Sequence, residues 1–412
     1  MAVLKVRPST LSGEITAPPS KSYTHRAFAI GLLARGNTEV VGPLLSLDTK
    51  ATIEAARILG AEVAGRGDIW RVVGTSGNIE PRRELIDVRN SGTTLRLMSA
   101  IASLSPKPVR LTGDASILAR PMGQLVDALV KLGARARCEG PKGRPPVVVG
   151  GGLKGGEVEM GEVMSSQFIS ALLLASPYAE GDVEIHLAEE PRSKPYVEIT
   201  LEMLEAVGAR IKRGRDLTRF EIPGGQVYRA TTFEIPGDFS SAAFPLAAAA
   251  LVGSGVRVAN LDVRGLQGDR RIVDLLREFG ADVKVKGTTV EVSRGEELVG
   301  IEADCGDIPD LVPALAVLGA YAEGRTILTN IPHLRYKETD RLRAIALELR
   351  KMGASVKELP GELRVHGARQ LKGARLKSYG DHRMAMALAV AGLAAKARCL
   401  GSPRLANRMA RL

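Results

Sequence analysis

The sequence predicts an α/β protein built from about six similar modules, and two repeated patterns support this. The first pattern ends an apolar helix with Gly, followed by Ala, a variable residue and the start of a strand. Its glycines are Gly60, Gly133, Gly208, Gly280 and Gly353, which lie 73, 75, 72 and 73 residues apart. Because Gly readily ends a helix in the left-handed conformation, each copy predicts a helix that stops and a strand that follows.

The second pattern is a densely apolar helix that opens with polar residues. It covers residues 21–34, 91–104, 165–178, 238–251, 307–321 and 380–393, with starts 70, 74, 73, 69 and 73 residues apart. Helices that are apolar on every side are buried. The helices before the Gly-Ala signals, at 49–59, 124–132, 198–207, 271–279 and 341–352, mix apolar and charged residues. Each module is therefore expected to pair one buried helix with one amphipathic helix.

The length of 412 residues and the six modules predict two domains of three modules each. The sixth module lacks its Gly-Ala strand because the chain ends first, and a strand near Val3 to Val6 is its natural substitute. We therefore expect one domain at 15–235 and a second formed by 1–14 together with 236–412.

The composition of the chain limits the kinds of molecule that it is expected to bind. A net charge of +11 suits either nucleic acid or an anionic substrate. Aromatic residues make up only 4% of the chain, too few for a base-stacking surface, so an anionic substrate is favoured. No apolar run is long enough to cross a membrane, and residues 1–10 do not resemble a signal peptide. Cys138, Cys305 and Cys399 are unclustered, which favours a reducing cytoplasm over a disulfide framework or a zinc site.

Polar residues suited to anions gather where the buried helices begin. Helix N-termini attract phosphate and carboxylate groups. The relevant segments are Lys21-Ser22 with Arg26, Asn90-Ser91-Gly92-Thr93 with Arg96, Ser165-Ser166-Gln167 and Asp381-His382-Arg383. Any one of them could be only an N-cap, and Asp238 and Asp307 are interpreted as caps. Repeated Lys or Arg at buried starts is harder to explain structurally, because buried cations need partners.

These segments, taken with several others in the same order, resemble the 5-enolpyruvylshikimate-3-phosphate synthase family. The further segments are Arg120-Pro121, Ser193-Lys194-Pro195-Tyr196, Pro309-Asp310 and Lys337-Glu338-Thr339-Asp340-Arg341, and the match extends from Lys21 to about Leu393. The resemblance implies two similar domains, each of three βαβαββ repeats around buried parallel helices, an inside-out α/β barrel.

The resemblance also implies an activity, which is transfer of the enolpyruvyl group of phosphoenolpyruvate to the 5-hydroxyl of shikimate 3-phosphate. By that resemblance Asp310, Glu338 and Lys337 are catalytic. The residues implied to hold phosphoenolpyruvate are Lys21, Gly92, Arg120, Arg341 and Arg383. Those implied to hold shikimate 3-phosphate are Lys21, Ser22, Arg26, Ser165, Ser166, Gln167, Ser193, Tyr196, Asp310 and Lys337. We expect a monomer that closes on its substrates, with no metal or cofactor and no nucleic-acid or membrane partner.

Alternatives exist for the catalytic pair and for the family. Asp310, on the first turn of a buried helix, could merely offset the helix dipole, and Glu338 with Arg341 could be an ordinary helix ion pair. Family members often place a Lys near the C terminus, whereas residues 399–412 contain none and leave Arg404 as the stand-in candidate.

The nearest rival is the related UDP-N-acetylglucosamine enolpyruvyl transferase. That family carries a loop Cys where this chain has Ala115, which counts against it. A more distant rival is an RNA-end-processing or nucleic-acid-binding repeat protein.

Overall fold

The computed structural model describes residues 2–368, 370–395 and 397–401. It separates into two compact units. We call Pro19–Ile235 the continuous unit, and Met1–Pro18 together with Pro236–Leu412 the split unit.

The described residues contain twelve α-helices. Those of the continuous unit are α1 (Lys21–Leu33), α2 (Leu47–Ile58), α3 (Gly92–Ala102), α4 (Ala115–Leu118), α5 (Gly123–Lys131), α6 (Ser166–Ala175) and α7 (Lys194–Ala206). Those of the split unit are α8 (Phe239–Val252), α9 (Ile272–Glu278), α10 (Val312–Tyr321), α11 (Arg341–Lys351) and α12 (His382–Ala394).

 The described helices thus number seven in the continuous unit, where the four-residue α4 is an addition to the repeat, and five in the split unit.

The strands follow the same repeat. Those of the split unit are β1 (Ala2–Val6), β2 (Leu11–Thr16), β15 (Gly253–Ala259), β16 (Asp282–Lys286), β17 (Thr289–Ser293), β18 (Glu302–Asp304), β19 (Arg325–Thr329), β20 (Ser355–Leu359), β21 (Glu362–His366), β22 (Arg375–Lys377) and β23 (Ala397–Gly401). Those of the continuous unit are β3 (Asn37–Val41), β4 (Glu62–Arg66), β5 (Ile69–Val73), β6 (Leu85–Asp87), β7 (Val109–Thr112), β8 (Arg135–Gly140), β9 (Arg144–Gly150), β10 (Gly156–Met160), β11 (Val183–Leu187), β12 (Lys212–Arg213), β13 (Arg219–Ile222) and β14 (Thr232–Glu234).

All the sheets of the described residues share one topology. Their strand orders are β14-β3-β5-β4, β6-β7-β9-β8 and β10-β11-β13-β12 in the continuous unit, and β2-β15-β17-β16, β18-β19-β21-β20 and β22-β23-β1 in the split unit. In each, the first pair is parallel and the remaining pairs are antiparallel. β1, from the start of the chain, therefore takes the third position of the last sheet.

The buried and amphipathic helices differ as their sequences predict. The helices α8, α10 and α12 pack against one another in the split unit, and α3 packs against both α1 and α6 in the continuous unit. Their apolar side chains are almost entirely buried. Burying this apolar area is the main force that holds each unit together, at roughly 25 cal/mol per Å² removed from water.

The five glycines of the first repeat all have a positive φ. The values are 117° at Gly60, 97° at Gly133, 83° at Gly208, 94° at Gly280 and 98° at Gly353. Each follows the end of an amphipathic helix and precedes a strand, as the sequence predicts. A side chain is strained in this left-handed region, so the repeat of Gly follows from the repeated helix ending.

Two of these glycines form a matched pair for measuring that constraint. At Gly353 an added Cβ would meet nothing within 4 Å, whereas at Gly280 it would lie 2.6 Å from the backbone oxygen of Glu297. We expect Gly353→Ala to lower the free energy of unfolding by roughly 1–2 kcal/mol, the penalty for a left-handed residue with a Cβ. Gly280→Ala should cost clearly more, because a backbone oxygen must also move. Urea unfolding would measure both, and equal losses would contradict the close contact at Gly280.

Candidate active site

In the split unit, one buried arginine joins three carboxylates. Arg341, the first residue of α11, is 2% exposed. Its Nε donates to Asp381 Oδ2 at 2.7 Å, one Nη to Asp310 Oδ1 at 2.7 Å and the other to Glu338 Oε2 at 2.6 Å. Burial acts to lower the pKa of Arg341, but Asp381, Glu338 and Asp310 outweigh it and raise that pKa above its ordinary value. The guanidinium is therefore permanently charged.

A second arginine shares one of these carboxylates. Arg383, on the first turn of α12, places one Nη 2.9 Å from Asp310 Oδ2 and donates from the other to the backbone oxygen of Ser240 at 3.1 Å. Asp310 thus has a guanidinium on each oxygen. We define the carboxylate–arginine cluster as Asp310, Glu338, Arg341, Asp381 and Arg383.

The helix starts are held by acidic caps. Asp381 Oδ1 accepts the backbone N–H of Arg383 at 2.8 Å at the start of α12, and Asp340 accepts that of Arg343 at 3.0 Å at the start of α11. Asp238 caps α8 through the N–H of Ser240 at 2.9 Å, which agrees with its interpretation as a cap. Asp381 serves twice, because the same carboxylate caps α12 and binds Arg341.

Three sequence interpretations are wrong in this region. Asp307 does not cap the buried helix, because α10 begins later, at Val312, with Leu311 at the cap position. Asp310 consequently lies before α10 and not on its first turn. Glu338 also precedes its helix, since α11 begins at Arg341, so the contact between them is not an ordinary pair on a helix face.

A buried glutamate ties α11 to the start of α12. Glu348, two turns after Arg341, is fully buried and accepts the backbone N–H of Lys377 at 2.9 Å and the hydroxyl of Tyr379 at 2.5 Å. Lys351 lies 2.6 Å from the same carboxylate. These contacts fix the turn that leads to Asp381, so they support the geometry of the cluster.

In the continuous unit, Arg26 connects α1, α6 and α7 through hydrogen bonds. It is buried on α1 and donates to Thr200 Oγ1 at 2.7 Å, to the backbone oxygen of Ser22 at 3.0 Å and to Ser170 Oγ at 3.1 Å. It also donates to the backbone oxygen of Tyr196 at 2.8 Å. These acceptors are neutral, so burial lowers the pKa of Arg26 to about 10, which still leaves it charged at neutral pH.

The starts of α3 and α6 are linked by polar side chains. An added Cβ at Gly92 would lie 3.4 Å from a nitrogen of Arg120 and 3.5 Å from one of Arg96, so both guanidinium groups lie beside this glycine. Arg96 donates to the side-chain oxygen of Gln167, whose Nε2 donates to Thr93 Oγ1 at 3.0 Å. Gln167 therefore connects the two helix starts.

The other residues assigned from the sequence also lie at helix starts of the continuous unit. Ser165 caps α6 by accepting the N–H of Gln167 at 3.3 Å, and Ser166 begins that helix. Ser193 has a φ of 60° and immediately precedes α7, which contains Tyr196. Lys21 begins α1, with its Nζ 3.9 Å from Asp48 Oδ2.

Some residues of these clusters were not identified from the sequence. Thr200 and Ser170 hold Arg26, and a hydroxyl inside the apolar run of α6 was the available signal for Ser170. Thr52 and Thr94 form a buried chain with His25: His25 Nδ1 lies 2.6 Å from Thr52 Oγ1, which lies 2.6 Å from Thr94 Oγ1. Burial, with Lys21 and Arg26 nearby, lowers the pKa of His25 well below its ordinary value, so this histidine is neutral.

The described residues contain neither a membrane-spanning helix nor a cluster of metal-ligating side chains. In residues 2–368, 370–395 and 397–401 no helix has the length and apolar character that a membrane crossing requires. The same part of the chain contains no group of three or more His, Cys, Asp or Glu side chains placed to hold a metal ion. Arg404 and the side chain of Cys399 lie outside the described residues.

The repeated α/β modules carry buried arginines at their helix starts, which is typical of proteins that bind anionic small molecules. Comparison with known proteins identifies the family. The profile of the family described as EPSP synthase (3-phosphoshikimate 1-carboxyvinyltransferase) matches residues 6–400. The 3-phosphoshikimate 1-carboxyvinyltransferase of Methanocella arvoryzae is 48% identical over 95% of this chain and 92% of its own length. That of Methanothrix thermoacetophila is 49% identical over the same shares.

A solved structure gives the same result. The EPSP synthase of Acinetobacter baumannii, with 29% identity, superposes with a TM-score of 0.80 over 98% of this chain and 95% of its own. The chain therefore belongs to the EPSP synthase family, which confirms both the resemblance and the predicted fold class.

Proposed function

We propose that this chain transfers the enolpyruvyl group of phosphoenolpyruvate to the 5-hydroxyl of shikimate 3-phosphate and releases phosphate, a step toward chorismate and the aromatic amino acids. The observation that carries the proposal is the carboxylate–arginine cluster, in which Asp310 and Glu338 are held 2.7 Å and 2.6 Å from the same guanidinium. A reaction that both removes and adds a proton needs two positioned acid/base groups. The identity of the two substrates is inferred from the family to which the chain belongs.

In this proposal Asp310 accepts the proton of the 5-hydroxyl while Glu338 donates one to the vinyl methylene. The hydroxyl oxygen bonds to the central carbon of the enolpyruvyl group, and a tetrahedral intermediate forms that still carries phosphate. In the second step Glu338 takes back a proton from the methyl group, the bond to phosphate breaks as Asp310 returns its proton to the leaving phosphate, and the double bond forms again. Lys337, which directly precedes Glu338, supplies a cation to shikimate 3-phosphate.

The cationic residues stabilise the charges of the substrates. Lys21, Gly92, Arg120, Arg341 and Arg383 are proposed to hold phosphoenolpyruvate. Arginine suits this role because its planar group can bind carboxylate or phosphate through two hydrogen bonds and remains charged. The placement of the Arg120 guanidinium beside Gly92 supports this assignment in the continuous unit, since the glycine leaves the backbone open to a ligand.

The residues proposed to hold shikimate 3-phosphate are Lys21, Ser22, Arg26, Ser165, Ser166, Gln167, Ser193, Tyr196, Asp310 and Lys337. The short hydroxyl and amide side chains lie at the starts of α1, α6 and α7, where backbone N–H groups also favour a phosphate. Arg26 donates four hydrogen bonds to the protein, so its main contribution is to fix Ser22 and Tyr196. We also propose that the protein acts as a cytoplasmic monomer.

The proposed activity predicts strict dependence on both substrates. The purified protein should release phosphate from phosphoenolpyruvate only when shikimate 3-phosphate is present, and treatment with a chelator should leave the rate unchanged because cationic side chains stabilise the charges. A colorimetric phosphate assay would measure this. Turnover with UDP-N-acetylglucosamine in place of shikimate 3-phosphate would contradict the assignment.

The acid/base roles predict a second set of results. Asp310→Asn and Glu338→Gln should each lower kcat by roughly two to four orders of magnitude, the usual effect of removing a positioned acid or base. Glu362→Gln, which removes a carboxylate of β21, is the matched control and should keep the wild-type rate. Circular dichroism would check that each variant is folded. If Asp310→Asn unfolds the protein but keeps the specific activity of its folded fraction, Asp310 is only structural.

A further inference from the structure

Beside the carboxylate–arginine cluster lies a buried carboxyl group to which the proposed reaction gives no role. Asp269 belongs to the 3-10 helix Gly268–Arg271, which leads into α9, and it is 3% exposed. Its Oδ2 accepts a hydrogen bond from the hydroxyl of Ser240, and its Oδ1 is buried with no hydrogen-bond partner among the described residues. An ionised carboxylate is costly in such a place, whereas a protonated one is tolerated.

Asp269 is connected to the cluster through Ser240. The backbone oxygen of Ser240 accepts a hydrogen bond from Arg383 at 3.1 Å, while its hydroxyl donates to Asp269. Arg383 in turn contacts Asp310 at 2.9 Å. A continuous chain of contacts therefore runs from Asp269 through Ser240 and Arg383 to Asp310, and a change at its buried end is transmitted to an arginine assigned to phosphoenolpyruvate.

Charged and titratable groups from several elements face Asp269. They are Asp238 at the start of α8, Asp310 before α10, Arg383 on α12 and the thiol of Cys305. Two more cations, Arg270 and Arg271, follow Asp269 on its own turn. The last two donate to the backbone oxygens of Val263 and Asp304. Burial raises the pKa of Asp269 most, and the nearby charge of Asp310 raises it further. Arg383 and the hydrogen bond from Ser240 lower it, but the net effect is a rise in the pKa to about 7.

The charge of the cluster explains why a neutral Asp269 would matter. Within it, Arg341 and Arg383 contribute two positive charges, and Asp310, Glu338 and Asp381 contribute three carboxyl groups. An ionised Asp269 would add a further negative charge. Because like charges repel strongly where water is excluded, that charge would oppose the approach of an anionic substrate.

We propose that Asp269 is a positioning residue that holds Arg383 through Ser240 and, when protonated, leaves the charge of Arg383 available to the substrate anion. The inference rests on the proposed function, since it takes that anion to be phosphoenolpyruvate. Ionisation of Asp269 then weakens the binding of phosphoenolpyruvate without removing any group that reacts.

The test compares wild type with Asp269→Asn, which is neutral at every pH, from pH 6 to pH 9. KM for phosphoenolpyruvate and kcat are measured at saturating shikimate 3-phosphate, and the ratio of wild type to variant is taken at each pH so that titration of the substrate itself cancels. We expect the KM ratio to rise about tenfold across this range, the effect of one nearby like charge, while the kcat ratio stays constant. A KM ratio that does not change with pH would overturn the proposal.

Two further variants test whether the pH dependence of KM arises from Asp269 and its hydrogen bond with Ser240. Ser240→Ala keeps the backbone contact with Arg383 but removes the hydrogen bond that favours ionised Asp269, so the rise in KM should move to higher pH. Asp274→Asn, at an exposed residue on the neighbouring α9, should leave the KM profile of wild type unchanged. An unmoved profile in Ser240→Ala would count against the link through Ser240.

A measurement without substrate separates this inference from the proposed function. A carboxyl group whose pKa is raised in the folded state favours the fold at low pH, and this contribution is lost as pH rises from about 4 to about 7. The stability of wild type should therefore fall relative to Asp269→Asn over that window, and a constant difference would overturn the buried neutral state. If wild type releases no phosphate at all, the proposed function fails; if it does and the KM ratio is flat, only the role of Asp269 fails.

Discussion

A guanidinium group that is buried from water must be given hydrogen-bond acceptors, and the split unit is arranged to meet this need for Arg341. Its acceptors come from the segment before α10, the segment before α11 and the start of α12. Removing one member would leave a buried charge uncompensated, which costs far more than a surface ion pair contributes. The charge of the cluster and the packing of three helix starts therefore depend on the same group of contacts.

The continuous unit meets the same need in a different way. Arg26 is as buried as Arg341, yet its acceptors are hydroxyl groups and backbone oxygens, and burial lowers its pKa while carboxylates raise that of Arg341. A cation held by neutral groups keeps its full positive charge available to a nearby anion. A cation shared among carboxylates mainly orients them, and orientation is what a pair of acid/base groups requires.

The sequence predicted the parts of this structure that depend on local rules. A helix that ends in a left-handed residue needs Gly, so Gly60 through Gly353 revealed the repeat. The start of α10 was misplaced because Asp307 has the chemistry of a cap but lies too far from Val312. Asp269 and Thr200 were missed because their partners are distant in the chain, and no local pattern shows that a carboxyl or hydroxyl will be buried against an arginine.

The central claim is that one buried guanidinium holds three carboxylates together, of which that of Asp381 is fully buried, and the pH dependence of Arg341→Met tests it most directly. Denaturant unfolding at pH 7 should show a loss of roughly 3–5 kcal/mol relative to wild type, the usual cost of breaking a buried ion pair. At pH 5 the loss should shrink, because the carboxylates that now repel one another can take up protons. Arg343→Met, at an exposed residue on the same helix, should change little at either pH. A loss in Arg341→Met that is equal at both pH values, or absent, would contradict the account.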